Sequence, residues 1–153
     1  MTHSIGFYSL MAAMSLNLVA CAWIAYMLWQ GRTGGIRRIA WLQSAVCVLV
    51  LIPAVILAIA LLQGDFSYRL VADYTDSLLP WTYALTAFWA GQEGSFLFWT
   101  LAVTLFGLAW SIFGAGRDMP EENTCSFWLM YTLVQAFFLL IATTVSNPLV
   151  QLA

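Results

Sequence analysis

The 153-residue sequence contains no lysine, and charged side chains of any kind make up only 8% of it. Soluble domains carry about 25% charged residues, so this scarcity excludes an ordinary water-soluble enzyme. The five basic residues are scattered arginines in a chain of net charge −2. No phosphate-tracking surface follows from them, which excludes a nucleic-acid binder. Histidine is limited to His3, too little to build a metal site, and the three cysteines form no Cys-x-x-Cys pair. Hydrophobic residues, by contrast, make up 63% of the chain. That much apolar surface cannot remain disordered in water. The composition is that of an integral membrane protein.

A bilayer core of about 30 Å requires about 20 mostly apolar residues per helix, and four stretches qualify, at about 5–29, 39–62, 95–113 and 126–145. Backbone amides in lipid must bond internally, so the expected fold class is all-α, with four transmembrane helices in a single domain spanning 1–153. Pro53 falls inside the second span and is expected to kink it. The Leu18-Val19-Ala20-Cys21 run looks like a lipoprotein cleavage box, but no basic segment precedes it, so the first span is expected to stay in the mature chain. Arg32, Arg37, Arg38 and Arg117 flank the spans on one side, against Arg69 alone on the other. The positive-inside rule then places both termini and the segment 63–94 outside. Trp29, Trp41, Trp110 and Trp128 fall at the cytoplasmic ends, where an indole can sit at headgroup depth. Cys21, Cys47 and Cys125 read as small buried thiols.

The outer segment 63–94 is richer than a simple return loop. Phe66, Tyr68 and Leu70 alternate with Ser67 and Arg69, which suggests an extended piece. Asp73, Thr75, Asp76 and Ser77 read as a turn, and Pro80 suits the start of a helix. Trp81, Leu85, Phe88 and Trp89 then recur at helical spacing, predicting a short amphipathic helix lying in the interface before the third span. After it comes Trp89-Ala90-Gly91-Gln92-Glu93-Gly94-Ser95. Glu93 is the only acid between Asp76 and Asp118. At the entrance of a span it is either a carboxylate held by free amides and the positive helix end, or part of a polar site at the membrane face. Gly91 and Gly94 permit backbone angles or close approaches that a side chain would block.

Asp65-Phe66-Ser67, Leu79-Pro80-Trp81, the Trp89–Ser95 run with its aromatic continuation, and Ser146-Asn147-Pro148 together resemble the N-terminal region of the CcmF/NrfE family. These are the haem-lyase membrane subunits of cytochrome c maturation. The resemblance covers nearly the whole chain, but only the first quarter or so of a full-length member. It departs from the family at Gln92, where the motif commonly carries histidine. An amide can replace histidine as a hydrogen-bond donor but not as a metal ligand or proton acceptor. The family's tryptophan-rich haem-handling motif and haem-ligating histidines have no counterpart here, and His3 matches no family ligand.

The resemblance implies part of a haem-lyase machinery in a bacterial inner membrane, with the N-terminus periplasmic. Such a machinery would present haem on the outer face for thioether attachment to apocytochrome c. Haem is expected through the full assembly and none on this chain alone, and catalysis by the chain alone is not expected. The candidate haem-side residues are Trp89, Gln92, Glu93 and Ser95, with Trp81 and Trp99 as apolar partners; no metal ligand and no catalytic residue is assigned. Implied partners are the remaining haem-lyase subunits or a chain carrying the tryptophan-rich region, a haem chaperone, apocytochrome c and membrane lipid. Gln92, and a chain that stops soon after Ser-Asn-Pro, also suit a non-catalytic scaffold or split subunit that completes the lyase only with a partner. An ion carrier built on Glu93 is disfavoured, because the spans hold no second ionisable side chain for a relay; Asn17 and Gln135 are explained by interhelical hydrogen bonds.

Overall fold

Each long apolar run folds as one continuous helix. The computed structural model describes residues 2–32, 35–76, 78–113, 120–145 and 147–151, with the side chains of Thr2, His3 and Ile36 outside that description. Among the described residues six α-helices follow in order: α1 (Thr2–Trp29), α2 (Ile36–Gln63), α3 (Arg69–Tyr74), α4 (Trp81–Ala90), α5 (Gln92–Phe113) and α6 (Glu121–Leu140). A π-helical turn, Ile141–Val145, ends α6. Helices α1, α2, α5 and α6 with its π turn are long and apolar enough to cross a membrane. Their outward faces carry Leu18, Val19, Val55, Phe106, Leu133 and Phe137, as a lipid-facing surface requires.

The ends of these helices reach beyond the apolar runs. Gln92, Glu93 and Gly94 form the first turn of α5, and Glu121 and Glu122 that of α6, after Pro120. Carboxylates suit both positions because the unpaired amides and dipole of a helix start favour negative charge. Helix α2 continues through Pro53, which is buried beside Gly6 of α1.

Helix α1 packs along α2 and α6, and α2 along α5. One apolar cluster gathers Leu10, Val50, Leu57, Leu97, Leu139 and Leu149 with Tyr68, Leu70, Val71 and Phe88 of the 63–94 segment. A second, at the other end, joins Ile24, Ile39 and Trp128. Trp128 is therefore core, 2% exposed, and not an anchor at headgroup depth, whereas Trp29 and Trp41 are exposed. Of the cysteines, Cys47 and Cys125 are buried and Cys21 is half-buried; Cys125 lies within α6.

Between the apolar clusters the helices are joined by polar contacts. The Asn17 amide donates to the Thr132 carbonyl (3.0 Å), the Gln43 amide to the Thr104 carbonyl (3.3 Å), and the Tyr131 hydroxyl to the Val103 carbonyl. Each such bond contributes about 0.6–2 kcal/mol in a membrane interior. Gln135 differs from the expectation. It is fully buried, yet neither amide atom has a partner among the described residues.

The expected extended piece at 66–70 is corrected as well. Among the described residues only Tyr68 pairs in a strand-like way, in an isolated antiparallel bridge to Gln151, and from Arg69 the chain turns helical. A lone strand with a single bridging partner leaves its amides unpaired, whereas a helical turn bonds them internally. That turn buries Leu70 and Val71 and leaves Arg69 and Asp73 outside as an i,i+4 ion pair at 3.4 Å. Asp73 is accordingly helical, Thr75 and Asp76 lie beyond the helix, and Ser77 falls outside the described residues.

Candidate functional site

The recognisable stretches of the sequence lie far apart along the chain, and the fold gathers them at one end of the bundle. Asp65 begins a tight turn by accepting the Ser67 amide on its carboxylate (3.1 Å). The side-chain amide oxygen of Asn147 likewise accepts the Leu149 amide (3.0 Å), which steers Leu149 into the core. The Arg69 amide then donates to the Val150 carbonyl (3.0 Å) beside the Tyr68–Gln151 bridge. Thr143 and Thr144 return their hydroxyls to the carbonyls of Leu139 and Leu140, a back-bonding that bends helices and accompanies the π turn before Asn147.

The two motif glycines serve close packing. A Cβ at Gly91 would lie 2.6 Å from the Tyr74 ring, and one at Gly94 would overlap the Phe88 carbonyl and crowd Leu70 at 3.0 Å. Neither glycine has a positive φ. Helix α3 therefore clamps over the α4–α5 junction through Leu70 and Tyr74, and only glycine leaves room for it.

Across that junction the Ser95 hydroxyl donates to the Trp89 carbonyl (2.7 Å), and the Ser95 amide to the Gly91 carbonyl (2.9 Å). These bonds fix the end of α4 against the start of α5. Beside them an open groove of about 370 Å³ is lined by Trp89, Ser95, Phe98 and Trp99. Ser95, Phe98 and Trp99 share one face of α5 by their i, i+3, i+4 spacing. Trp89 reaches the groove from α4, its ring 6.0 Å from Phe98, which lies 5.8 Å from Trp99. Both indoles are more than half exposed.

Of the residues singled out in the sequence, Trp89, Ser95 and Trp99 come together at this groove. Gln92 is exposed and Glu93 half-buried on the first turn of α5, and neither lines it. Among the described residues their side chains have no hydrogen-bonding partner, so Glu93 is held by its place at the positive helix end. Trp81 is 65% exposed and stands away from the groove. The expected aromatic stripe of α4 divides: Phe88 packs inward with Ala84 and Ala87, while Trp81 and Trp89 point outward. Phe98 was not singled out, although its three-residue spacing from Ser95 marks it as a neighbour. Among the described residues no three His, Cys, Asp or Glu side chains lie together as a metal site would need.

No protein-family model matches the chain. It is 32% identical, over 99% of its length, to the cytochrome c-type biogenesis protein CcmF of Pseudomonas aeruginosa, of which it covers 23%. It is 33% identical, over 68% of its length, to the probable cytochrome c-type biogenesis protein NrfE of Escherichia coli K12, covering 18% of that protein. The solved structure titled Cytochrome c Heme Lyase CcmF superposes on the whole chain with a TM-score of 0.86 at 24% identity, and the chain accounts for 25% of that structure. The fold is thus shared with that structure, and the chain spans less than a quarter of the length of these two curated relatives.

Proposed function

From a chain of the CcmF/NrfE type, we propose a part in the haem-lyase machinery of cytochrome c maturation, helping to present haem for thioether attachment to apocytochrome c. The observation that carries this reading is the groove of Trp89, Phe98 and Trp99 at the end of the bundle where the family-like stretches converge. Flat, electron-rich indole and phenyl rings suit contact with a flat conjugated macrocycle. The residue set fits that contact and not iron ligation. The Ser95 hydroxyl proton is committed to Trp89, and among the described residues no imidazole or thiol lines the groove. The haem group supplies the vinyl carbons that receive cysteine thiols. The chain's own residues supply a wall that orients the ring edge and keeps water from one face.

Iron ligands and the tryptophan-rich region then come from other parts of the assembly, on the same polypeptide or a partner chain. A haem chaperone and apocytochrome c are the remaining expected partners. In this reading the bundle sits in a bacterial inner membrane, with both ends of the described chain and helices α3 and α4 on the periplasmic side and α4 at the interface. The excess of arginine at the opposite end supports that orientation. The scaffold reading shares this geometry and draws its support from Gln92, an amide where the family carries imidazole.

The test is holocytochrome c production, by haem staining, in cells that depend on this chain. Trp89→Ala and Trp99→Ala are expected to lower it several-fold, with the chain still present in the membrane at its normal level. Normal yield from a Trp89→Ala, Trp99→Ala double variant would remove the groove from haem handling. The scaffold reading would then stand.

A further inference from the structure

At the end of the bundle away from α3 and α4, the exposed indole of Trp41 stands between two hollows. One, about 340 Å³, is lined by Trp23, Arg38, Trp41 and Leu42. The other, about 150 Å³, is lined by Arg37, Trp41, Ser44 and Ser111 with Ala40 and Ile112. The first is walled by two indoles and a leucine under a single guanidinium. The second brings two hydroxyls and a guanidinium from α2 and α5 together. Gly35, at φ 81°, packs against Trp23, since a Cβ there would lie 2.9 Å from the ring.

Among the described residues this end carries Arg32, Arg37 and Arg38 against Glu121 and Glu122 on the first turn of α6, with no ion pair between them. The ion pair found among the described residues, Arg69–Asp73, lies on α3 at the opposite end of the bundle. The serines present only acceptors, because Ser44 donates to the Ala40 carbonyl (2.9 Å) and Ser111 to the Gly107 carbonyl (2.9 Å). An occupant must therefore offer an apolar chain to one hollow, an anionic group to two guanidinium groups, and hydroxyl donors to the other hollow. Free phosphate has no apolar chain to fill the first hollow. A basic, tryptophan-flanked recess at the end of membrane spans meets all three in a lipid with an anionic headgroup.

We infer that Trp23, Arg37, Arg38 and Trp41 form a binding site for one anionic glycerophospholipid. An acyl chain lies along Trp23, Trp41 and Leu42. The phosphodiester sits under the two arginines, and headgroup hydroxyls donate to Ser44 and Ser111.

The test is quenching of tryptophan fluorescence in the full chain reconstituted in phosphatidylcholine vesicles containing brominated phosphatidylglycerol or brominated phosphatidylcholine. The signal of these two indoles is isolated by difference from a Trp23→Phe, Trp41→Phe variant. Brominated phosphatidylglycerol is expected to quench it at lower mole fraction than brominated phosphatidylcholine. Arginine beside an anionic lipid surface is worth about a factor of five each, so Arg38→Gln should weaken the preference roughly five-fold and Arg37→Gln, Arg38→Gln should abolish it. Equal quenching of that difference signal by the two lipids would overturn the inference. Loss of the preference on adding inorganic phosphate would also overturn it, assigning a free-anion site instead. Protection from both lipids would do the same, since a protein surface would then cover Trp41.

Discussion

Buried amides carry unequal weight in this bundle. Asn17 has a carbonyl to reach on α6, whereas Gln135, one turn beyond Thr132, has its nitrogen and oxygen both unpaired among the described residues. An unmade bond in an apolar interior costs about 1–3 kcal/mol, while a made one contributes less than 2 kcal/mol in membranes. Gln135→Met, close in volume and free of polar atoms, is expected to leave the helices as stable or to stabilise them by about 1 kcal/mol. Asn17→Leu should destabilise by about 1 kcal/mol, since it leaves the Thr132 carbonyl with one partner fewer. Reversible unfolding in mixed micelles with increasing denaturing detergent measures both. A clear loss of stability in Gln135→Met would mean that this amide is bonded in the membrane.

Among the elements, the short helices decide how the groove is held. Gly94 lets the start of α5 pass against the Phe88 carbonyl and Leu70, so Gly94→Ala forces apart a backbone contact that cannot relax by a side-chain rotation. Overpacking of this kind costs about 1–3 kcal/mol. The expected outcome is a less stable chain in the same detergent titration, and faster hydrogen exchange at the amides of Phe88 to Ser95 than in Gly107→Ala. A Gly94→Ala chain with unchanged stability and exchange would show that α4 and α5 do not pass this closely at the junction. These elements were also the least legible in the sequence. The four long helices follow from apolar run length alone, but polar first turns such as Gln92-Glu93-Gly94 extend them by several residues beyond the runs. Alternation at 66–70 suggested a strand because period two arises by chance in five residues, and what decides is whether a neighbouring strand exists to pair with. The inward turn of Phe88 and the burial of Trp128 depend on which neighbour covers each face, and a single sequence holds no record of that. For the groove, Trp89, Ser95 and Trp99 were readable through the resemblance, while Phe98 needed α4 and α5 placed side by side.

At the scale of the whole molecule, both ends of the described chain, α3 and α4 share one end of the bundle, and Arg32, Arg37 and Arg38, which form no ion pair among the described residues, occupy the other. This polarity ties the proposed functions together, because a haem-facing groove belongs where apocytochrome is exported and an anionic-lipid site belongs at the opposite leaflet. Sidedness is therefore the property on which both depend. Asp73 is half exposed on α3, and Glu122 is exposed on the first turn of α6. In intact spheroplasts a membrane-impermeant maleimide is expected to label Asp73→Cys in a background where Cys21, Cys47 and Cys125 are replaced by alanine or serine. Glu122→Cys should react only after the membrane is opened. The reverse pattern would invert the bundle. It would place Trp89 and Trp99 on the side where no apocytochrome thiol is presented, and the haem-side reading of the groove could not survive it, whereas the lipid site would simply change leaflet.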